Sequence, residues 1–194
     1  MTGEELTKVK RFVFQKTCNI KDLQHNCEHA KRVASNAERV VKLLKSEKKV
    51  DLNLLLAISF LHDINHAFFK PGFINYFLES KRLRAVLPKI LEELNIKECE
   101  GKIIENAIYK SPLSFPFKKL NKNQDLYTQI LQDADTLDLF SKEREISFNI
   151  AKGNLLFYKI LSTFSKFTFK YGRENLKKYL NFPQLAKEFY VQKS

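Results

Sequence analysis

His62 and Asp63 stand side by side at the end of an apolar run, Leu54-Leu55-Leu56-Ala57-Ile58-Ser59-Phe60-Leu61. Such a run belongs in a protein interior, and an ionised carboxylate carried there must be paired, neutralised or bound to a metal. Imidazole with carboxylate is a common mixed ligand set for a divalent first-row ion. His66 comes four residues after His62 and three after Asp63, so on a helix it neighbours both and can hydrogen-bond a ligand or a metal-held water. His29 lies four residues before Val33 and eight before Ala37, on or beside an apolar stripe, and His25 precedes it by one helical turn. All four histidines therefore fall between positions 25 and 66. Far downstream, Asp133-Ala134-Asp135-Thr136-Leu137-Asp138 puts three carboxylates into another apolar helical pattern, where an interior charge again needs a counter-ion. Periodicity leaves Asp133 and Asp135 as competing inward carboxylates, and Asp138 reads as a structural hydrogen-bonder or surface residue.

The elements that must position these groups all read as helices. Apolar residues recur at helical spacing in nearly every window, no sustained alternation suggests a strand, and Gly and Pro number only five each in 194 residues. The expected class is all-α. We expect a first helix over Glu4 to about Thr17 and a second from near Asp22 to Ser46. A third, capped by Asp51, runs from Leu52 to about His66. A fourth extends to Asn95 with a kink or break near Pro88, and a fifth covers about Lys97 to Tyr109. Ser111 to Pro116 reads as a loop. Helices near Asn123 to Glu145, Leu155 to Phe169 and Glu174 to Val191 complete the chain, with Gly153 and Gly172 as breakers. With 44% hydrophobic residues the chain can bury a sizeable core, and one domain is expected over 1–194, its motif-bearing part about 20–140 and its C-terminal helices about 141–194.

Cys18, Cys27 and Cys99 are odd in number and widely spaced, a pattern that suggests neither a disulfide framework nor a thiolate zinc site. They read as reduced thiols of a cytoplasmic protein. The charged start of the chain and the shortness of its longest apolar run indicate no export signal and no membrane partner. The net charge of +12 draws anions of any kind. From Lys142 onward eleven basic residues face four acidic ones, thinly spread between Phe and Leu, the pattern of wet helix faces; nucleic-acid binding ranks behind that reading. The phenylalanines, at helical spacing, read as core.

The order of the motifs carries more than any one of them. His25-Asn26-Cys27-Glu28-His29-Ala30-Lys31-Arg32-Val33, then Leu61-His62-Asp63-Ile64, then Asp133-Ala134-Asp135-Thr136-Leu137-Asp138 resembles the HD superfamily of metal-dependent phosphohydrolases, over roughly residues 20–140. The resemblance implies a compact HD-type helical bundle and a ligand set of His29, His62, Asp63 and Asp135 around one divalent metal ion, with Mn, Mg, Fe, Ni, Co and Zn equally compatible. It further implies hydrolysis of a nucleotide or other small phosphoester by a metal-activated water. His66, where related enzymes place a Glu, is the expected general acid or base beside Asp63. Arg32 and Lys110 are the expected phosphate contacts. The chain departs from the family pattern at Asn26 (commonly Asp), Lys110 (near an expected His) and Thr136 (commonly Arg). No histidine follows His66, so the extra ligands of two-metal relatives are missing and a mononuclear site is expected. Two other classes fit the same residues: an HD scaffold that binds a ligand or regulates without turnover, and a basic helical nucleic-acid-binding protein. The sequence leaves the oligomeric state open.

Overall fold

The computed structural model describes residues 1–70, 72–111, 125–154 and 156–190. Nine α-helices run through them: α1 (Gly3–Thr17), α2 (Cys27–Leu43), α3 (Leu52–Leu61), α4 (Phe73–Glu93), α5 (Glu98–Lys110), α6 (Leu126–Leu139), α7 (Lys142–Asn154), α8 (Leu156–Glu174) and α9 (Leu185–Tyr190). Two 3-10 turns, Ile64–Ala67 and Leu176–Tyr179, join them, and the described residues contain no strand. The all-α expectation holds.

Helix α3 is the axis of the assembly. It is apolar on all sides, with Leu55, Ile58 and Leu61 inaccessible to solvent, so it needs partners around its circumference. These are α1, α2, α5 and, less extensively, α6, while α2 also packs along α6. Asn36 Nδ2 ties α2 to α6 by donating to the Ala134 carbonyl (3.1 Å). Helices α7 and α8 pair with each other around a second, smaller apolar cluster of Phe148, Ala151, Tyr158 and Phe169.

Several boundaries differ from the sequence expectation, and the differences shape the site. Helix α2 begins at Cys27 and not near Asp22, because the Asn26 side chain accepts the amides of Glu28 and His29 and caps it. Residues 19–26 thus form a loop, which frees the Asp22 and His25 side chains from a helix face. Helix α3 stops at Leu61, and His62 and Asp63 stand at the joint before a 3-10 turn that carries His66. The stretch expected as one helix over Asn123 to Glu145 is two, broken at Phe140-Ser141, where Ser141 Oγ accepts the Arg144 amide. Pro88 lies inside a continuous α4. Gly172, expected as a breaker, is inside α8; a Cβ there would come within 1.9 Å of the Phe140 ring, so its role is close packing. The expected loop at Ser111 to Pro116 lies, after Ser111, outside the described residues.

The cysteines correct another expectation. Cys18 and Cys27 are joined in a disulfide with Cα atoms 4.8 Å apart, and Cys99 is free and exposed. Sequence spacing missed the bridge because only the return of the chain from α1 to α2 brings the two together. The bridge closes the loop that bears Asp22 and His25. We expect Cys18→Ser to lower unfolding stability by about 2–3 kcal/mol, from the entropy of a closed loop this short, with a reductant producing the same loss in the wild type; denaturant melts with and without reductant check both.

Candidate metal centre

His29 comes from the buried stripe of α2, His62 and Asp63 from the end of α3, and Asp135 from α6. Their donor atoms converge. His29 Nε2 lies 3.1 Å from His62 Nε2, 3.1 Å from Asp63 Oδ2 and 3.6 Å from Asp135 Oδ1. His62 Nε2 lies 3.3 Å from Asp63 Oδ2 and 3.9 Å from Asp135 Oδ1. Adjacent donors around one ion with bonds of about 2.1 Å stand roughly 3.0–3.5 Å apart; the His29, His62 and Asp63 atoms meet that spacing, and Asp135 stands somewhat wider.

The backs of the imidazoles set which nitrogen faces inward. His62 Nδ1 donates to the Ser59 carbonyl (2.8 Å), and His29 Nδ1 to Asp138 Oδ2 (2.8 Å). Each ring therefore carries its proton on Nδ1 and turns the Nε2 lone pair to the centre. Two lone pairs facing each other at 3.1 Å repel unless a proton or a metal ion sits between them, and the carboxylates of Asp63 and Asp135 beside them suit a divalent ion in that place. Asp63 and Asp135 each retain 20% side-chain exposure while His29 is 1% exposed, so the donor set is closed behind and open on its carboxylate side.

Asp138, expected on the surface or in a structural bond, is a buried partner of the site. Besides His29 it accepts from Arg32 Nε and Nη2, and Arg144 Nη1 lies 3.5 Å away. Burial opposes its charge, but His29, Arg144 and Arg32 hold its carboxyl well below the ordinary range. Arg32, expected to bind phosphate, is thus turned onto Asp138. Asp133 points to the opposite side of α6, where it accepts from the Asn181 amide (2.7 Å), Asn181 Nδ2 (2.9 Å) and the Phe182 amide (2.9 Å). Lys110 is exposed in the last turn of α5. The two unusual residues leave the donors intact: Asn26 is the cap of α2, and Thr136 Oγ1 donates to the Gln132 carbonyl within α6. A cavity of about 660 Å³, bordered by Arg32, Arg39, Lys142 and Arg173, opens beyond Asp138, and none of the four converging residues borders it.

A second polar cluster adjoins the first. Asp22 accepts from His25 Nδ1 (2.8 Å), Tyr158 Oη (2.6 Å) and the Gln24 amide (3.0 Å), and His66 Nδ1 lies 3.5 Å from it. The His25 and His66 rings stack at 3.7 Å, and His66 Nε2 faces Glu79 Oε1 at 3.1 Å. Asp22, Glu79 and Tyr158 escaped sequence reasoning because tertiary folding alone brings them to the histidines, Glu79 from α4, Tyr158 from α8 and Asp22 from what read as a helix.

The match to known proteins follows this geometry. The HD domain family matches residues 26–139, the stretch that contains all four converging residues. The chain belongs to the HD-domain family. That membership places it among a superfamily of metal-dependent phosphohydrolases whose domains bind divalent metals. A crystal structure of a Lactobacillus plantarum protein superposes with a TM-score of 0.57 at 25% sequence identity, over 79% of this chain. This chain spans 65% of that protein's length. No curated protein matches the sequence. No helix among the described residues is long and apolar enough to cross a membrane.

Charge in this HD domain depends on protons when no metal is bound. Burial works against a charged His62, yet Asp63 and Asp135 outweigh it and raise the ring to about 9; burial likewise opposes His66, and Asp22 and Glu79 raise it to about 10. His25 is shifted down by burial and by the neighbouring His66. A histidine raised above its ordinary 6.5 in the folded state adds stability that is complete below that pH and is lost as pH climbs through the folded value. The chelated protein should therefore lose stability between about pH 6.5 and 10, the two raised rings outweighing His25, and saturating divalent metal should flatten that decline. Denaturant melts across this range, with and without metal, measure it.

Proposed function

We propose that the chain hydrolyses a small phosphorylated compound, a nucleotide or other phosphoester, using a divalent ion held by His29, His62, Asp63 and Asp135. The observation behind this reading is the convergence of two Nε2 atoms and two carboxylates, with both rings locked from behind by Ser59 and Asp138. When bound, a divalent ion polarises a phosphoryl oxygen and makes water more acidic.

The chain's own residues hold and orient the donors and move the proton. Asp138, pinned by Arg32 and flanked by Arg144, keeps His29 in the required tautomer. His66, expected as acid or base, has carboxylates against both ring nitrogens, so base action does not suit it. His25 suits it better. Its Nδ1 donates to Asp22 and its Nε2 has no hydrogen-bond partner among the described residues, the state of an imidazole ready to take a proton from water. That water's oxygen bonds to phosphorus, the ester P–O bond breaks, and the leaving oxygen takes up a proton. Phosphorylated substrate approaches the exposed Asp63–Asp135 edge, with Lys110 as the proposed phosphate contact. Asn26 and Thr136 have ordinary structural partners, which favours a working enzyme over an inactive scaffold.

Elemental analysis of the purified chain beside Asp63→Ala and Asp135→Ala tests the site, followed by a panel of phosphorylated metabolites. We expect metal in the wild type, loss in both variants, and hydrolysis only with metal. Metal-dependent turnover that survives Asp63→Ala would sink the mechanism. Asp138→Asn should weaken metal affinity about 10–100-fold, and His25→Ala should retain metal while lowering kcat about 10²–10⁴-fold.

A further inference from the structure

We propose that the cavity beyond Asp138 binds a small organic phosphate, its phosphate at the basic rim and an apolar or aromatic body against the inner wall. The site lies apart from the four converging metal donors and does not depend on the hydrolytic reading above.

Shape comes first. Helices α2, α6, α7, α8 and α9 and the 3-10 turn Leu176–Tyr179 meet around a space of about 660 Å³, a size that encloses a small organic molecule. Leu137, Phe140 and Leu176 are buried in its wall, and Phe189 adds an aromatic face. Such a wall suits an apolar body, and a bare inorganic ion would leave it unfilled.

Charge sets the head group. Arg32, Arg39, Lys142 and Arg173 border the space against Asp138 and Glu143. Contacts from behind the wall preserve the excess: Glu145 meets Arg173, while Arg144 Nη1 stands 3.5 Å from Asp138, so five basic side chains face three acidic ones. Two of the donors at the space are unused. The Lys142 ammonium has no partner among the described residues, and Arg32 spends Nε and Nη2 on Asp138 while Nη1 has none. Arg39 is set in place by stacking over Phe189, its guanidinium carbon 3.9 Å from the ring centre, so ordering it for a ligand costs little. An ammonium and guanidinium groups around one opening match the several oxygens of a phosphate better than the two of a carboxylate.

Arg144 makes room for the exchange. Its side chain is buried and its Nε has no hydrogen-bond partner, so it can support the charge of Asp138 when Arg32 turns to an entering anion. His29 Nδ1 keeps its own bond to Asp138 throughout, and the metal donors stay as they are.

Calorimetric titration of the chelator-treated chain with naphthyl phosphate tests the site, beside inorganic phosphate and naphthol as head and body alone. Removing metal keeps the probe from being consumed at the metal centre. We expect saturable binding of about one equivalent, each half alone at least about tenfold weaker, and a loss of about tenfold in Lys142→Gln and in Arg39→Gln, as for a charged hydrogen bond removed. Asp63→Ala and Asp135→Ala should bind the probe as the wild type does. Thermal melts confirm that all four variants are folded. No saturable binding at millimolar probe, or binding that both Lys142→Gln and Arg39→Gln leave unchanged, overturns the proposal. Binding lost in Asp63→Ala or Asp135→Ala places the anion at the metal centre and overturns it as well. Lys142→Gln should retain the wild-type metal content, so the cavity and the metal centre stand or fall separately.

Discussion

The carboxylate of Asp138 is 1% exposed, and the arrangement of the site follows from keeping it charged. An isolated buried carboxylate is costly by several kcal/mol, so it has to draw cationic or N–H partners from whatever packs around it. Here they come from two helices, His29 and Arg32 on α2 and Arg144 on α7, around an aspartate on a third, α6. Satisfying one oxygen pair thereby sets the rotation of α2 against α6 and the start of α7, and it orients the His29 ring. Arg144 continues the chain of contacts by donating to the Gln24 carbonyl, which anchors the loop that carries Asp22 and His25. Removing the charge would release several elements at once.

The departure from continuous helix at two places is what gives the site its reach. Had α2 begun at Asp22, the Asp22 and His25 side chains would have been confined to one helical stripe and could not both face His66. The Asn26 cap and the Cys18–Cys27 bridge hold the chain in a loop instead. Had α3 run on to His66, Asp63 and His66 would have been fixed at the spacing of one turn. The joint at His62-Asp63 and the tighter 3-10 turn swing His66 back onto His25, ring against ring. Ending regular structure next to the functional side chains is thus a geometric requirement here.

Much of this was legible in the residues. An apolar helix ending in His-Asp, a second apolar stripe carrying His29 and a distant run of aspartates name three elements and the chemistry that joins them, and all three meet. The roles of individual aspartates were not legible, for a definite reason. Asp133 and Asp135 are two positions apart on α6, about 200° around the axis, and α6 is buried on both sides. Hydrophobic periodicity identifies an inward face only when the other is wet, so it could not rank them; the fold shows Asp133 serving the backbone of residues 181–182 and Asp135 facing the histidines. Arg32 has a partner that the sequence did not reveal. Its charge suits an anion, and in the fold the anion it meets is Asp138 of the same chain.

The contacts of Asp22, Tyr158 and Glu79 belong to tertiary structure alone, since 136 residues separate Asp22 from Tyr158 and 13 separate His66 from Glu79. Burial opposes charge on Asp22, yet His25, His66 and the Tyr158 hydroxyl keep its carboxyl ionised, and burial together with Asp22 raises the Tyr158 phenol so far that it stays a donor. Engaged by all of these donors, Asp22 stays an acceptor. It can only fix the tautomers of the two imidazoles stacked above it. His25 then keeps one nitrogen without a hydrogen-bond partner among the described residues while His66 faces a carboxylate with its other, so the same buried anion leaves two adjacent rings in different surroundings.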